Sequence, residues 1–322
     1  MSPVDPVPSY QNCSLCPRNC GVNRSAGQRG YCGETAELRL AAASVHGGEE
    51  PPLTGTGGSG TIFISGCNLG CVFCQNHQIS QGGMGRKVGA EEFARICSAL
   101  QARGAENINL VTGSHAAPAL AAALEAARNG GLKLPVFWNS SSYEGPASLS
   151  LLENALDGYL PDLKTLDSSL SGRLFNAPDY PGHAQRAIRW MMASRELRFS
   201  GGVLVSGVII RHLVLPGCLE STRRVLRWFA EYGQGRALLS LMTQYTPVNG
   251  GRRPGGEQAP SRQVEAGEYE TLLRWLEEFD IEDGFYQELI HDDSWLPDFR
   301  RPNPFSSALS KPVWHWKEGF LP

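Results

Sequence analysis

Short apolar runs alternate with longer amphipathic stretches between residue 61 and about residue 280. Strands that alternate with helices in this way form a parallel sheet with right-handed crossovers. We predict six strand–helix pairs: Thr61–Ser65 with Ala90–Arg103, Asn107–Val111 with Pro118–Asn129, Leu134–Trp138 with Ala147–Ala155, Leu156–Leu160 with His183–Arg198, Val203–Ile210 with Ser221–Tyr232, and Ala237–Met242 with Gly267–Phe279. Six units are fewer than the eight of a closed TIM barrel. The expected fold is therefore α/β, an open, partial six-unit β/α barrel of TIM-barrel type.

Cysteines are concentrated near the start of the chain, where seven of the nine lie between residues 13 and 74. No run reaches the roughly 18 apolar residues of a membrane span, and the first ten residues lack the basic stretch of a secretory signal. We therefore expect a cytoplasmic protein with reduced thiols. In such a protein, clustered cysteines are more often metal ligands than disulfides. A formal net charge of -3 gives no basic excess for a general nucleic-acid surface.

The loop directly after the first predicted strand carries Cys67, Cys71 and Cys74 in the spacing C-x3-C-x2-C. Three thiolates on one tight loop can bind three irons of a 4Fe–4S cluster and leave the fourth iron without a protein ligand. Gly66 and Gly70 allow the backbone to curl closely around such a cluster. A zinc loop is the simpler alternative, but the loop itself lacks a fourth zinc ligand.

Four further cysteines, Cys13, Cys16, Cys20 and Cys32, form a small N-terminal module with the spacing C-x2-C-x3-C-x11-C. Four soft thiolates suit a second iron–sulfur cluster or a structural zinc ion, and unliganded thiols are the third possibility. The module is too small to bury a core of its own, so a metal is expected to stabilise it.

The 67–74 loop resembles the signature of the radical S-adenosylmethionine (radical SAM) superfamily, including the aromatic Phe73 before the last cysteine. The resemblance implies that the open iron binds S-adenosylmethionine (SAM), and that one electron cleaves SAM to methionine and a 5′-deoxyadenosyl radical. That radical would then abstract hydrogen from a substrate. The resemblance also implies a reductant such as flavodoxin or ferredoxin.

Further segments are similar to a narrower group, the uncharacterised radical SAM proteins named as pyruvate formate-lyase activating enzymes. These segments are Cys13-Ser-Leu-Cys-Pro-Arg-Asn-Cys-Gly-Val-Asn-Arg24, Gly60-Thr-Ile-Phe-Ile-Ser-Gly-Cys67, Cys74-Gln-Asn-His77, Asn176-Ala-Pro-Asp-Tyr-Pro181 and Arg211-His-Leu-Val-Leu-Pro-Gly217. This likeness implies activation of a glycyl-radical protein. Radical modification of a peptide, metabolite or RNA is the alternative within the superfamily. An iron–sulfur electron carrier or a zinc interaction protein is the alternative outside it.

Polar residues at the ends of the predicted strands are candidates for SAM or substrate contacts, because ligands of such sheets bind at the carboxyl ends of the strands. The candidate SAM contacts are Phe73, Thr112, Asn139, Ser141, Asp162, Lys164 and Arg211, and Ser140, His115, His212, Gln244 and Tyr245 are further strand-end candidates. Many radical SAM enzymes carry Gly-Gly-Glu after the second strand, where this chain has Val111-Thr-Gly-Ser-His115. Ordinary polar loops are the alternative explanation, and Asp162 could simply pair with Lys164.

We divide the chain into an N-terminal cysteine-rich metal-binding module with its connector (1–60), a radical SAM barrel domain (61–280) and a C-terminal extension that packs on the barrel (281–322). Gly55–Gly60 satisfies G-x-G-x-x-G but precedes a strand, which favours a turn over a dinucleotide site. Cys97 and Cys218 are expected to be ordinary thiols, and Trp314-His-Trp316 to dock the tail. We predict a mobile loop over 247–262 and a solvated acidic turn at His291-Asp-Asp293.

Overall fold

The structure is a computed structural model that describes residues 10–248, 259–290, 296–306 and 308–322. The predictions for His291-Asp-Asp293 and for most of the 247–262 loop lie outside these residues. In the described part of the chain, one twelve-stranded sheet is formed. Its strands are β1 (Arg39–His46), β2 (Ser59–Ile64), β3 (Arg86–Lys87), β4 (Asn107–Val111), β5 (Val136–Ser140), β6 (Gly158–Pro161), β7 (Arg198–Ser200), β8 (Val203–Leu213), β9 (Leu238–Met242), β10 (Gly284–Tyr286), β11 (Ser310–His315) and β12 (Gly319–Phe320).

The sheet is open, with the strand order β10-β9-β8-β6-β5-β4-β2-β1-β11-β12. The run from β2 to β10 is parallel throughout, as the alternation of strands and helices requires. The predicted open, partial β/α barrel is thus confirmed, and the six predicted strands correspond to β2, β4, β5, β6, β8 and β9. The short strand β10 adds a seventh parallel strand at one edge, beyond the six that the sequence predicts.

Helices follow the parallel strands and cover the sheet. They are α1 (Pro51–Thr54), α2 (His77–Ser80), α3 (Ala90–Ala102), α4 (Ala117–Asn129), α5 (Pro146–Leu152), α6 (Ser168–Phe175), α7 (Tyr180–Ser194), α8 (Leu219–Tyr232) and α9 (Ala266–Glu278). The apolar face of α3 buries Phe93, Ile96, Cys97 and Leu100 completely, which confirms that Cys97 is a core thiol. None of the helices in the described ranges is long and apolar enough to cross a membrane.

One helix is shorter than the sequence suggests. The prediction extends a helix to Arg198, but α7 ends at Ser194 and Arg198 begins β7 instead. Gly201 and Gly202, with φ of +58° and +83°, turn the chain back so that β7 pairs antiparallel with β8. Two glycines in the left-handed region are typical of such a hairpin turn, so the hairpin competes successfully with the last turn of the helix.

Both segments that flank the predicted barrel contribute strands to the sheet. The segment 34–60, described above as a connector, contains β1, which pairs antiparallel with β2. The tail, to which the sequence assigns no regular structure, contains β11, which pairs with the other side of β1. Trp314 is fully buried and donates a hydrogen bond to Glu92 at 3.0 Å, which confirms that the aromatic tail docks. The 55–58 stretch is a turn before β2, as predicted.

Candidate active site

The three cysteines of the 67–74 loop lie between the end of β2 and the start of α2. Gly66 and Gly70 have φ of +86° and +70°, the left-handed conformation that glycine adopts without steric cost. The loop therefore doubles back, and Cys67, Cys71 and Cys74 all line one cavity of about 300 Å³. This volume lies at the lower end of the range of about 300–1,000 Å³ for ligand cavities.

Two of these sulfurs already have hydrogen-bond neighbours in the protein. The Leu69 amide donates to Cys67 Sγ at 3.4 Å, and Ser80 Oγ lies 3.3 Å from Cys74 Sγ. Burial, and then the neighbouring Cys67, raise the pKa of the Cys74 thiol to about 11, so the free thiol keeps its proton. A metal that binds here must displace that proton, which makes binding pH-dependent.

The seven candidate SAM contacts lie at or just after the ends of four different strands and on the cysteine loop, yet they share one location. Phe73, Thr112, Asn139, Ser141, Asp162, Lys164 and Arg211 all line the cavity of the three cysteines. The carboxyl ends of parallel strands meet at one edge of the sheet, which is why residues so far apart in sequence converge. Their contact with SAM stays a prediction. Of the other strand-end candidates, only Gln244 lines this cavity.

Thr112 has φ of +61°, a backbone conformation that is unusual for a β-branched residue. Its amide donates to the Asn139 carbonyl at 2.9 Å, which joins the ends of β4 and β5. Strain of this kind tends to be held at functional sites. The buried Ser141 hydroxyl also faces this region and has no hydrogen-bond partner among the described residues. A polar ligand would satisfy it.

The two basic residues that line the cavity are both neutralised by carboxylates. Lys164 Nζ lies 2.7 Å from Asp162, so the suggested pairing of these two residues does occur. Burial, the largest single influence, would lower the pKa of Lys164, but Asp162, Cys71 and Tyr180 together outweigh it and the pKa is raised. Arg211 Nη2 lies 2.5 Å from both Glu49 and Glu50. The basic residues at the cavity therefore carry their own counter-charges.

Several residues of this region were missed by sequence analysis. Glu49 and Glu50 lie in the predicted connector, and only the pairing of β1 with β2 brings them to Arg211. Gln75, Asn76, Ser80 and Met242 line the cavity without having been named as candidates. The position of Gln75 and Asn76 directly after Cys74 is the one signal that could have identified them. His212 is buried behind the cavity, where its ring contacts Leu163 and Thr222.

The donor set fits a 4Fe–4S cluster. Three thiols that line one cavity can each bind a separate iron. The same cavity is lined by polar residues at the strand ends, which suit a charged, hydroxyl-rich ligand. Within the ranges that the structure describes, no three His, Cys, Asp or Glu side chains converge on a single metal ion. The fold and the cavity together define an open β/α barrel with a three-cysteine loop at the carboxyl edge of its sheet.

Comparison with known proteins agrees with this class. The model of the radical SAM superfamily matches residues 61–229, just over half of the chain. This chain belongs to the radical SAM superfamily. It is 31% identical over 245 residues to the uncharacterized protein MJ0674 of Methanocaldococcus jannaschii, a match that covers 74% of this chain and 67% of that protein.

Solved structures of other proteins match parts of this chain. SuiB of Streptococcus suis, in a crystal structure with S-adenosylmethionine, matches with a TM-score of 0.50 and 14% identity, over 69% of this chain and 48% of its own. The match therefore spans about half the length of SuiB. A radical SAM methyltransferase of Sphaerobacter thermophilus matches with a TM-score of 0.46 and 15% identity, over 71% of this chain and 66% of its own.

Proposed function

We propose that this protein is a radical SAM enzyme in which Cys67, Cys71 and Cys74 bind a 4Fe–4S cluster and the strand ends bind SAM. The observation that carries the proposal is the single cavity, lined by the three cysteines and by polar residues from β5, β8 and the ends of β4 and β6. When bound there, the cluster supplies one electron that splits SAM into methionine and a 5′-deoxyadenosyl radical, which takes a hydrogen atom from the substrate.

The chain's own residues bind and orient SAM in this proposal. The unpartnered Ser141 hydroxyl and the Asn139 amide are free to hydrogen-bond the polar groups of SAM. Thr112, with its strained backbone, lines the cavity where a glycine-rich segment stands in many radical SAM enzymes. Asp162 carries acceptor oxygens suited to ribose hydroxyls while it remains paired with Lys164. The buried Phe73 and Leu69 exclude water from the reacting end.

The proposed substrate is a peptide segment, and activation of a glycyl-radical protein is the specific form of this proposal. Gln75, Asn76 and Gln244 line the cavity with side-chain amides, which donate and accept hydrogen bonds as a peptide backbone does. Lys164 and Arg211 are already ion-paired, so neither offers an unpaired charge to a phosphate group. This arrangement favours a peptide over RNA or a phosphorylated metabolite. A flavodoxin- or ferredoxin-type protein is the proposed electron donor.

The first experiment tests cluster-dependent SAM cleavage. The protein is purified without oxygen, reconstituted with iron and sulfide, reduced with dithionite and incubated with SAM, and 5′-deoxyadenosine is measured. We expect one 5′-deoxyadenosine per methionine, complete loss of cleavage in Cys71→Ala, and full cleavage in the core variant Cys97→Ala. Reconstituted protein that binds iron but neither cleaves SAM nor changes its EPR signal when SAM is added would support a simple electron carrier and overturn the proposal.

A second experiment tests the substrate class. Synthetic glycine-containing peptides with deuterium at the glycine α-carbon are added to the cleavage reaction, and nucleotides deuterated on the ribose are the comparison. Transfer of deuterium from the peptide into 5′-deoxyadenosine supports glycine abstraction. Deuterium that comes only from the nucleotides contradicts the peptide proposal without affecting SAM cleavage itself.

A further inference from the structure

The N-terminal cysteines are brought together by a series of tight turns. Backbone hydrogen bonds from Cys13 to Val22 and from Gly21 back to Cys13 close the first turns. At Gly30, a Cβ atom would lie 3.0 Å from Cys20 Sγ and 3.6 Å from Cys32 Sγ, so these two sulfurs face the same point. All four cysteines are free thiols, with Cys13 and Cys32 buried and the other two half-buried.

A buried arginine lies against this cysteine set. Arg24 is 1% exposed, and its guanidinium donates to the carbonyl oxygens of Thr35 and His115. Its Nη1 is 3.9 Å from Cys13 Sγ. Within the described ranges Arg24 forms no salt bridge with a carboxylate, and the nearby Glu34 is paired with Arg39 at 2.9 Å. A guanidinium is always charged.

The charge of Arg24 interacts with the Glu34 carboxylate, and its guanidinium lies 4.6 Å from the centre of the Tyr10 ring, but Arg24 has no ion pair of its own among the described residues. A buried guanidinium is therefore stabilised further by any negative group beside it. Four thiolates on the core of an iron–sulfur cluster leave a centre with net negative charge. Arg24 is placed to supply the counter-charge on the Cys13 side. Each cysteine gives up one proton when its sulfur binds iron.

The same module contacts the loop of the candidate active site directly. Arg18 donates from Nε to the Asn68 carbonyl at 2.9 Å and from Nη2 to the Leu69 carbonyl at 3.1 Å. Asn68 and Leu69 lie between Cys67 and Cys71. At Gly66, a Cβ would approach the Cys32 carbonyl oxygen to 3.0 Å. The N-terminal module therefore contacts the 67–74 loop both through the Arg18 side chain and through the backbone at Cys32.

We propose that Cys13, Cys16, Cys20 and Cys32 bind an iron–sulfur cluster compensated by Arg24, and that this cluster holds the 67–74 loop in place through Arg18 and Cys32. The metal site stands independently of the proposed function. The effect on the loop rests on the proposed function, because the proposed SAM chemistry needs the 67–74 loop in one fixed position. Without the metal, the turns that present Arg18 lose their anchor and the loop becomes more mobile.

The metal site is tested in the full chain with Cys67, Cys71 and Cys74 all changed to alanine, which removes the other cysteine set. The protein is reconstituted either with iron and sulfide or with zinc, and the metal content, absorption and EPR spectra are measured. We expect about four irons per chain and no zinc. Adding Cys16→Ala should abolish iron binding and adding Cys97→Ala should leave it unchanged, which would assign the cluster to this cysteine set. A triple variant that folds but retains zinc in place of iron, or neither metal, overturns the proposal.

The link between the two sites is tested by amide hydrogen exchange over residues 66–76. Cys16→Ala and Arg18→Ala should each raise the exchange rate of this loop at least tenfold, whereas Cys97→Ala should leave it unchanged. Unchanged exchange in Arg18→Ala contradicts the proposed link. SAM cleavage distinguishes failure of this inference from failure of the proposed function. Wild-type protein that keeps the N-terminal metal but cleaves no SAM rejects only the proposed function. Wild-type protein that cleaves SAM but has no N-terminal metal rejects only this inference.

Discussion

Ser80 Oγ lies 3.3 Å from Cys74 Sγ, and Ser80 is the last residue of the short helix that follows the third cysteine. A thiolate that binds iron can only accept in this contact, so the hydroxyl would donate to the sulfur. Hydrogen bonds to cluster sulfurs are one of the means by which a protein sets the reduction potential.

We therefore expect Ser80→Ala to lower the midpoint potential of the cluster, because the oxidised form loses less stabilisation than the more negative reduced form. An EPR-monitored redox titration of the reconstituted protein measures this shift. Ser80→Thr keeps the hydroxyl and should restore the wild-type potential. Equal iron content in the three proteins shows that assembly is unaffected, and an unchanged potential in Ser80→Ala would refute the role of this contact.

Gly66 allows the cysteine-rich module and the 67–74 loop to touch. Its φ is +86°, and an added Cβ would lie 2.5 Å from Glu34 Cγ and 3.0 Å from the Cys32 carbonyl oxygen. Gly83 has a similar φ of +71° but nothing within 4 Å of an added Cβ. The two glycines thus share backbone strain and differ in crowding.

Gly66→Ala should lower the free energy of unfolding by about 1–3 kcal/mol more than Gly83→Ala, because only the former adds a steric clash to the strain. It should also reduce the iron bound at the three-cysteine loop. Chemical denaturation and iron analysis of both variants test this. Equal destabilisation of the two variants would mean that the contact with Cys32 has no energetic importance.

The Arg211 guanidinium contacts Glu49 and Glu50 in the interior of the barrel, where Glu50 Oε1 also accepts from Nε at 2.8 Å. Removal of the cation leaves two largely buried carboxylates without a counter-charge, although Glu49 still accepts a hydrogen bond from Asn109. We expect Arg211→Met to cost about 3–5 kcal/mol of unfolding free energy. Adding Glu50→Gln should recover part of this loss, because one of the two charges is then removed.

The exposed ion pair between Arg300 and Asp298 provides a control. Surface pairs contribute little to stability, so Arg300→Met should change the free energy of unfolding only slightly. Urea denaturation of the three variants makes the comparison. A loss in Arg211→Met no larger than that in Arg300→Met would show that the buried pair contributes no more than an exposed one.

The barrel could be predicted from the sequence because each of its units has a local signal, such as the apolar face of α3 or the apolar run Ile62-Phe63-Ile64 at the end of β2. The strands β1 and β11, which lie beyond the predicted barrel, could not be predicted. β11 depends on pairing with β1 more than 260 residues away, as in the contact of Ala43 with Trp314, and long-range pairing has no local sequence signature. β1 itself pairs with the nearby β2 but lies outside the alternation of strands and helices from which the barrel was predicted.

The residues of the candidate site also fall into those that the sequence predicts and those that only the structure reveals. Cys67, Cys71 and Cys74 form a motif by spacing alone, and Asp162 and Arg211 could be found because strand ends are predictable. Glu50 could not be found, because its role depends on the position of a strand that the sequence does not indicate. Nothing in the sequence distinguishes Ser80 from the other serines, and only the fold of the loop places it beside Cys74.

His212 is fully enclosed at the end of β8, and its two ring nitrogens have different partners. Nδ1 must donate to the Leu163 carbonyl at 2.6 Å, so in the neutral ring Nε2 accepts from the Thr222 hydroxyl at 2.9 Å. Burial lowers the pKa of His212 from 6.5 to about 4. The ring therefore stays neutral in the folded protein at pH values where the unfolded chain takes up a proton.

Because this pKa is depressed by folding, the contribution of His212 to stability is fully present above pH 6.5 and is lost as the pH falls toward 4. The loss amounts to about 3 kcal/mol at about 1.4 kcal/mol per pKa unit. Denaturation between pH 4 and 7 should show a shallower pH dependence in His212→Gln than in the wild type. His183→Gln, at a half-buried position, should keep most of the slope. A wild-type slope in His212→Gln would show that this histidine titrates normally in the folded protein.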